Sequence, residues 1–234
     1  AHSWMVESAV KSLWNIGGRS MVPEPESKRP YRLRRRLEAM HATRERIVQA
    51  AFDLHRDVGP AQATVKAIAA RAGVERHTVY RHFPELVALI RACTDFGMQT
   101  TGLPEPDRWR GIREPLERLR VALTEMYRYW RANERLVMNL MCDAPVMPQL
   151  VEGSASYQEH LGRIWQIVLA PWDARADAER ARALAGTALE FTTWQSLTQR
   201  QRLSDEIAVE TMVSAVRALT AGPAKEQVVS PARG

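Results

Sequence analysis

Arg76, His77, Thr78, Tyr80, Arg81 and His82 crowd one short stretch, with the apolar Val79 and Phe83 standing four apart among them. On a helix, positions i and i+4 share a face, so Val79 and Phe83 turn inward and the six polar groups are left outward or sideways. Their chemistry is recognition of acceptors and anions. The guanidinium of Arg76 forks onto guanine O6 and N7, and His77 is a second group suited to a base edge. A short anchored helix with a surface of Arg, His, Thr and Tyr suits the major groove of DNA. Metal chemistry is not expected, because His77 and His82 are five apart, off the i, i+4 spacing of a helical ligand pair, with no carboxylate joining them. Catalysis is not expected either. The chain shows no Gly-rich phosphate loop, no Ser/His/Asp set on defensible elements and no paired carboxylates near a titratable base, so it reads as a non-enzyme without a cofactor.

The residues just upstream position that helix. Thr64 is an N-cap whose hydroxyl accepts an orphan backbone N–H. Val65, Ile68, Ala69 and Ala72 follow at helical spacing as one apolar stripe. Gly73 stands at C′, where a left-handed residue is needed, and Val74 turns back to the core. Glu75 then opens the next helix, at the end of the dipole that favours an acid. Helix, glycine turn, short helix is the layout of a helix-turn-helix.

Charge placement agrees. Residues 1–100 hold 16 Lys or Arg against 10 Asp or Glu, whereas residues 101–234 hold 17 of each, so the whole excess of +6 lies in the first part. A polyanion partner for that part follows. Lys28, Arg29, Arg32, Arg34, Arg35 and Arg36 form a basic run after a Pro- and Gly-containing linker, suited to phosphates or the minor groove. The two cysteines, Cys93 and Cys142, make no CxxC and read as small apolar fillers in a reduced, cytoplasmic protein. No apolar run approaches the ~20 residues of a membrane span, so no membrane partner is expected. The chain opens on Ala, and Met5 and Met21 are both candidate native starts.

The segment Ala-Gly-Val-Glu-Arg-His-Thr-Val-Tyr-Arg-His-Phe-Pro, residues 72–84, resembles the signature of the TetR family of bacterial transcriptional repressors. The similarity begins at Arg44–Gly59, which resembles the family's first helix, and runs to about Ala92 without gaps. By this resemblance Thr64, Thr78, Tyr80, Arg81 and His82 are backbone clamps, which fix register, while Tyr80 also reaches a thymine methyl. Many members carry Lys three residues after the Phe. Here that position is Leu86, which cannot pair with a phosphate.

Read along its length, the chain is helical throughout, with Gly and Pro at the joints. Helix one spans about 42–57 on Ile47, Ala51, Leu54 and Val58. A fourth helix spans Glu85 to about Phe96, and 102–106 is a domain break. A long helix follows on Leu116, Leu119, Leu123, Met126, Tyr127 and Trp130. Asn133 caps a shorter one, Pro171 stops a later one, Asp173 caps the next, and Ser204 caps the last, whose stripe runs from Ile207 to Leu219. The fold class is all-α: an N-terminal three-helix helix-turn-helix domain plus a C-terminal helical ligand-binding and dimerisation domain. The boundaries are a flexible basic extension over 1–40, the DNA-binding domain over 41–96, the effector-binding and dimerisation domain over 97–221, and a flexible tail over 222–234.

The second half is rich in Trp and Met, which build cores and also adaptable apolar cavities. The resemblance implies an inducer pocket between the middle helices, and Met126, Trp130, Met141, Tyr157, Trp165 and Trp194 are its candidate lining. It also implies a homodimer, with the Ala-dense segment 181–188 and the final helix as a four-helix seam; close packing within one chain is the other use of such small residues. The function expected is a ligand-responsive regulator, a repressor, that binds a palindromic double-stranded DNA operator and is released by a small apolar or aromatic effector. The alternatives are a DNA-binding regulator with no small-molecule ligand, and a helical binding protein that has lost DNA binding.

Overall fold

The computed structural model describes residues 28–173 and 178–220, with side chains from Tyr31 onward. Residues 1–27 of the expected extension and the whole expected tail lie outside the described residues. The described residues are helical, joined by short turns and without a strand.

Helix α1 spans Lys28–Val58, beginning well before the expected start near Ala42. The reason is local. Arg, Leu, Glu, Ala and Met are strong helix formers, and Arg34 pairs with Glu38 one turn on at 2.8 Å. Side chains 31–42 are exposed, and burial begins at Ile47. Val58, expected on the inner stripe, is 50% exposed, because the chain is already turning into Gly59. A 3₁₀ turn at Pro60–Gln62 leads to α2 (Val65–Ala72), α3 (Arg76–His82) and α4 (Leu86–Thr100). Ile47, Leu54, Ile68, Val79, Phe83 and Leu89 close one core among these four helices. Cys93 belongs to it as a filler, and burial pushes its thiol up to about 12. Cys142, by contrast, is exposed.

Beyond a 3₁₀ turn at Pro106–Gly111, α5 runs Pro115–Asp143. Asn133 interrupts it with φ −121°, ψ 19°. The break falls where a cap was expected, but Asn133 acts as a donor: its Nδ2 reaches Tyr129 O at 2.9 Å and Thr101 O at 3.1 Å. Next come α6 (Pro148–Gly153) and α7 (Ala155–Asp173). Pro171 does not stop α7, which continues to Asp173. Proline withdraws the N–H that Ile167 O would receive; Arg118 Nη1 supplies a donor there instead, at 3.0 Å. Asp173 is therefore the last residue of α7, not the cap of the next helix.

Helices α8 (Glu179–Ala188) and α9 (Phe191–Gln195), a π turn at Ser196–Arg200 and α10 (Asp205–Thr220) complete the second core. Ser204 caps α10 as expected, accepting from Ile207 N at 3.3 Å. Ile207 and Leu219 lie outside the core, at 55% and 41% exposed; the inner stripe is Ala208, Val209, Met212, Val213 and Val216. The small residues Ala181, Ala185 and Ala188 are buried within the chain, where α8 and α10 pack together. Each large side chain fully buried in these cores contributes about 1.5–3 kcal/mol of transfer free energy.

Candidate nucleic-acid interface and apolar groove

Helix α3 is held by three devices. At the start of α2, Thr64 Oγ1 accepts from Ala67 N at 3.2 Å. At its end Gly73 adopts φ 65°, ψ 41°, a left-handed conformation that a Cβ would strain. Val74 N then donates to Ala69 O at 3.0 Å, and Glu75 O takes Thr78 N at 2.9 Å to open α3. The third device is Arg44 of α1. Its Nη1 donates to His82 O at 3.2 Å, and its guanidinium lies 4.0 Å from the ring centre of Phe83. One side chain thus satisfies a terminal carbonyl of α3 and covers its apolar anchor. Sequence reasoning missed Arg44, because nothing in its spacing sets it apart from the neighbouring arginines.

Val79 and Phe83 are buried, at 1% and 4% exposed, so α3 turns its other faces outward. Arg76, His77, Tyr80 and Arg81 are exposed, and Thr78 and His82 are half-buried. Neither Arg76 nor Arg81 has a carboxylate partner among the described residues. Burial, then the charges of Arg81 and Arg44, lower the His82 pKa and favour its neutral ring. Thr78 Oγ1 lies 3.4 Å from His77 Nε2. The structure brings all seven expected DNA-contacting residues onto α3 and the start of α2. Leu86, 42% exposed, stands in the first turn of α4.

An apolar groove of about 540 Å³ lies between α5, α6, α7 and the 189–192 segment. Four of the six expected lining residues meet there: Trp130, Met141, Tyr157 and Trp165. The other two do not line it. Met126 and Trp194 are 1% and 0% exposed in the second core. Trp194 backs the groove wall, its ring 6.2 Å from Trp130 and 5.3 Å from Phe191, while its Nε1 donates to Asp205 Oδ1 at 2.9 Å. Val137, Leu140, Leu161 and Phe191 also line the groove and were missed. They are ordinary core types at helical spacing, and only the packing shows which of them face a void. A smaller cavity of about 60 Å³ adjoins it, sharing Leu140, Leu150, Ser154 and Tyr157, with Phe52 and His55 of α1 on its far side. Tyr129 and Tyr157 both line this cavity, and burial raises both phenols above their ordinary pKa.

Residues 47–93 match the family model for bacterial regulatory proteins of the tetR family. This segment, the helix-turn-helix, carries the sequence of the TetR family. The matched segment runs from Ile47 to Cys93, the first and last residues of the core that supports α3, so this DNA-binding helix-turn-helix is the part that carries the family's sequence. Solved structures share the fold. A regulator from Streptomyces coelicolor superposes with a TM-score of 0.55 at 18% identity, over 76% of this chain and 80% of that one. GusR of Salmonella enterica gives 0.52 at 21%, over 76% and 94%. NalD, the secondary repressor of the MexAB-OprM multidrug efflux pump in Pseudomonas aeruginosa, gives 0.50 at 19%, over 77% and 96%. No curated protein matches the sequence. Among the described residues, no helix is long and apolar enough to cross a membrane, and no three His, Cys, Asp or Glu side chains are grouped to hold a metal.

Proposed function

We propose that this TetR-family regulator is a repressor: a homodimer binds a palindromic double-stranded operator through α3, and a small apolar or aromatic effector in the groove releases it. The observation that carries the reading is α3 itself, an anchored helix that presents Arg76 and Arg81 without carboxylate partners among the described residues. Arg76 and His77, at the start of α3, read base edges; Thr64, Thr78, Tyr80, Arg81 and His82 grip the backbone. Residues 41–96 form the DNA-binding domain, 97–221 the effector and dimerisation domain, and the basic 1–40 segment grips phosphates.

A helix of seven residues reads few base pairs, whereas a two-fold pair reads both halves of a palindrome. The seam we assign is the outward face of α8 and α10, where Ala183, Thr187, Ile207, Thr211 and Ala218 are small or apolar and exposed. The groove suits an apolar or weakly polar ligand, because Glu190 is its sole charged lining residue among the described residues. A ligand that prefers a form with mismatched reading helices shifts the population away from the DNA-bound form. The cytoplasm, where the DNA lies, is the compartment this function requires.

Selection of bound duplexes from a random DNA pool, with the mass of the complex measured, tests the proposal. A palindromic consensus with two chains per site is the expected result. Absence of sequence enrichment, or one chain per site, overturns it.

A further inference from the structure

The small cavity beside the groove joins apolar walls to His55 and Thr94, two polar side chains on different helices. His55 of α1 is 5% exposed, and its ring makes no hydrogen bond among the described residues. Burial lowers its pKa to about 4, so at pH 7 the ring is neutral and offers one N–H donor and one nitrogen acceptor. Thr94 of α4 is half-buried, and its hydroxyl is likewise unpartnered among the described residues. Buried polar groups are as a rule paired, so two unpaired ones around one cavity point to a polar occupant.

The room has a fixed size. Gly97 lets α4 sit close to α1, where a Cβ would stand 2.8 Å from Phe52 Cε2, and Phe96 packs edge-on to the same Phe52 ring at 5.2 Å. The cavity of about 60 Å³ takes about two water-sized groups, at ~30 Å³ each. That is the size of a hydroxymethyl arm, whereas a cavity that binds benzene is about 150 Å³. Leu140, Leu150, Ser154 and Tyr157 line both this cavity and the groove, so the two spaces meet along one wall. Water in the cavity pairs with His55 and Thr94. A ligand hydroxyl that displaces it reproduces those bonds; a methyl group displaces it and leaves them unmade.

We propose that the small cavity is a hydroxyl-reading subsite of the groove: an aromatic effector lies in the groove and sends a short hydroxylated arm into the cavity, where His55 and Thr94 hold its hydroxyl. The subsite rests on the effector reading of the groove and deepens it. It narrows the effector class from apolar aromatics in general to aromatic alcohols.

The test uses the full chain at neutral pH. Equilibrium dialysis measures binding of naphthylmethanol and of its isostere ethylnaphthalene, which has a methyl group in place of the hydroxyl. Both are expected to bind, the alcohol about tenfold more tightly. Leu161→Trp, which fills the groove from α7, is expected to abolish binding of both. His55→Leu is expected to cut the preference for the alcohol below about twofold while ethylnaphthalene stays bound. His55→Gln, which keeps a neutral donor and acceptor, is expected to retain the preference. Thr94→Val, a swap of hydroxyl for methyl, is expected to reduce it by about threefold. Melting curves confirm that each variant folds. Equal binding of the two compounds to the unchanged chain overturns the subsite and leaves the groove reading intact. A preference undiminished by His55→Leu, or by Thr94→Val should His55→Leu not fold, overturns the assignment of the hydroxyl to this cavity. Binding of neither compound, or binding that Leu161→Trp leaves unchanged, overturns the groove reading and the subsite with it.

Discussion

Acidification from pH 7 to about 4 is expected to act through His55. This residue is 5% exposed at the end of α1, and burial lowers its pKa from 6.5 to about 4, with the nearby Asp143 carboxylate opposing part of that shift. The folded value lies below the unfolded one, so the unfolded chain takes up the proton first as pH falls. The folded protein is therefore favoured fully above pH 6.5 and loses that contribution steadily down to about 4. At about 1.4 kcal/mol per pKa unit, the loss across the window is about 3 kcal/mol. That is a large share of the ~5–15 kcal/mol typical of a folded domain. The assay is urea unfolding at several pH values between 7 and 4, for the unchanged chain and for His55→Gln, which stays neutral throughout. The difference in unfolding free energy between the two should shrink or reverse as pH falls. Below pH 4 the carboxylates of Asp57 and Asp107, whose pKa values are lowered chiefly by hydrogen bonds from Arg71 and Arg110, take over the acid loss and confound the comparison. Parallel pH profiles for both proteins between 7 and 4 would refute the reasoning, because they would mean that His55 is charged or solvated in the folded state.

Other expectations are sharper in location. Gly153→Ala places a Cβ 2.6 Å from Ile90 Cγ2 and 3.2 Å from Val87 O, so α6 is pushed off α4. A loss of about 1–3 kcal/mol in thermal or urea unfolding is expected, and an unchanged midpoint would show that the helices separate freely. Removal of residues 1–36 takes away Arg32, Arg34, Arg35 and Arg36, all exposed. Folding should survive, and the salt dependence of DNA binding should flatten by about 0.9 in log–log slope for each phosphate no longer neutralised; an unchanged slope would return the run to an ordinary solvated face. A flat apolar aromatic compound bound in the groove should quench the fluorescence of Trp130 and Trp165 and weaken operator binding. Quenching with no change in operator affinity would separate the groove from regulation.

The helix-turn-helix was legible because each of its parts has a local cause. A cap at Thr64, a left-handed glycine at Gly73 and inward anchors at Val79 and Phe83 are readable from residue type and spacing alone, and each stands where expected. The break at Asn133 was legible as a place but not in its action, since the side chain donates to carbonyls. The early start of α1 was not legible as helix because a run of arginines reads equally as a flexible basic arm; helix propensity decided it. Pro171 misled because the rule that proline ends a helix assumes that no other donor fills the vacant acceptor, and Arg118, far away in sequence, does so. The groove was half legible. Trp and Met composition indicated large soft side chains, but which of them face a void depends on helix rotation, and so Met126 and Trp194 went to the core while Leu161 and Phe191 lined the groove.

Helix α3, on the proposed function, reads DNA sequence at its start and grips the backbone further along. Binding of the Arg76→Ala and Arg81→Ala variants to the selected operator and to random duplex, over a range of salt, separates the two roles. Arg76→Ala is expected to weaken operator binding by about 1–3 kcal/mol, to leave random DNA nearly unchanged and to relax one position in each half-site. Arg81→Ala is expected to weaken both DNAs alike and to reduce the salt slope by about 1. Equal losses on both DNAs for both variants would contradict that division, and no loss for either would contradict DNA recognition by α3 altogether.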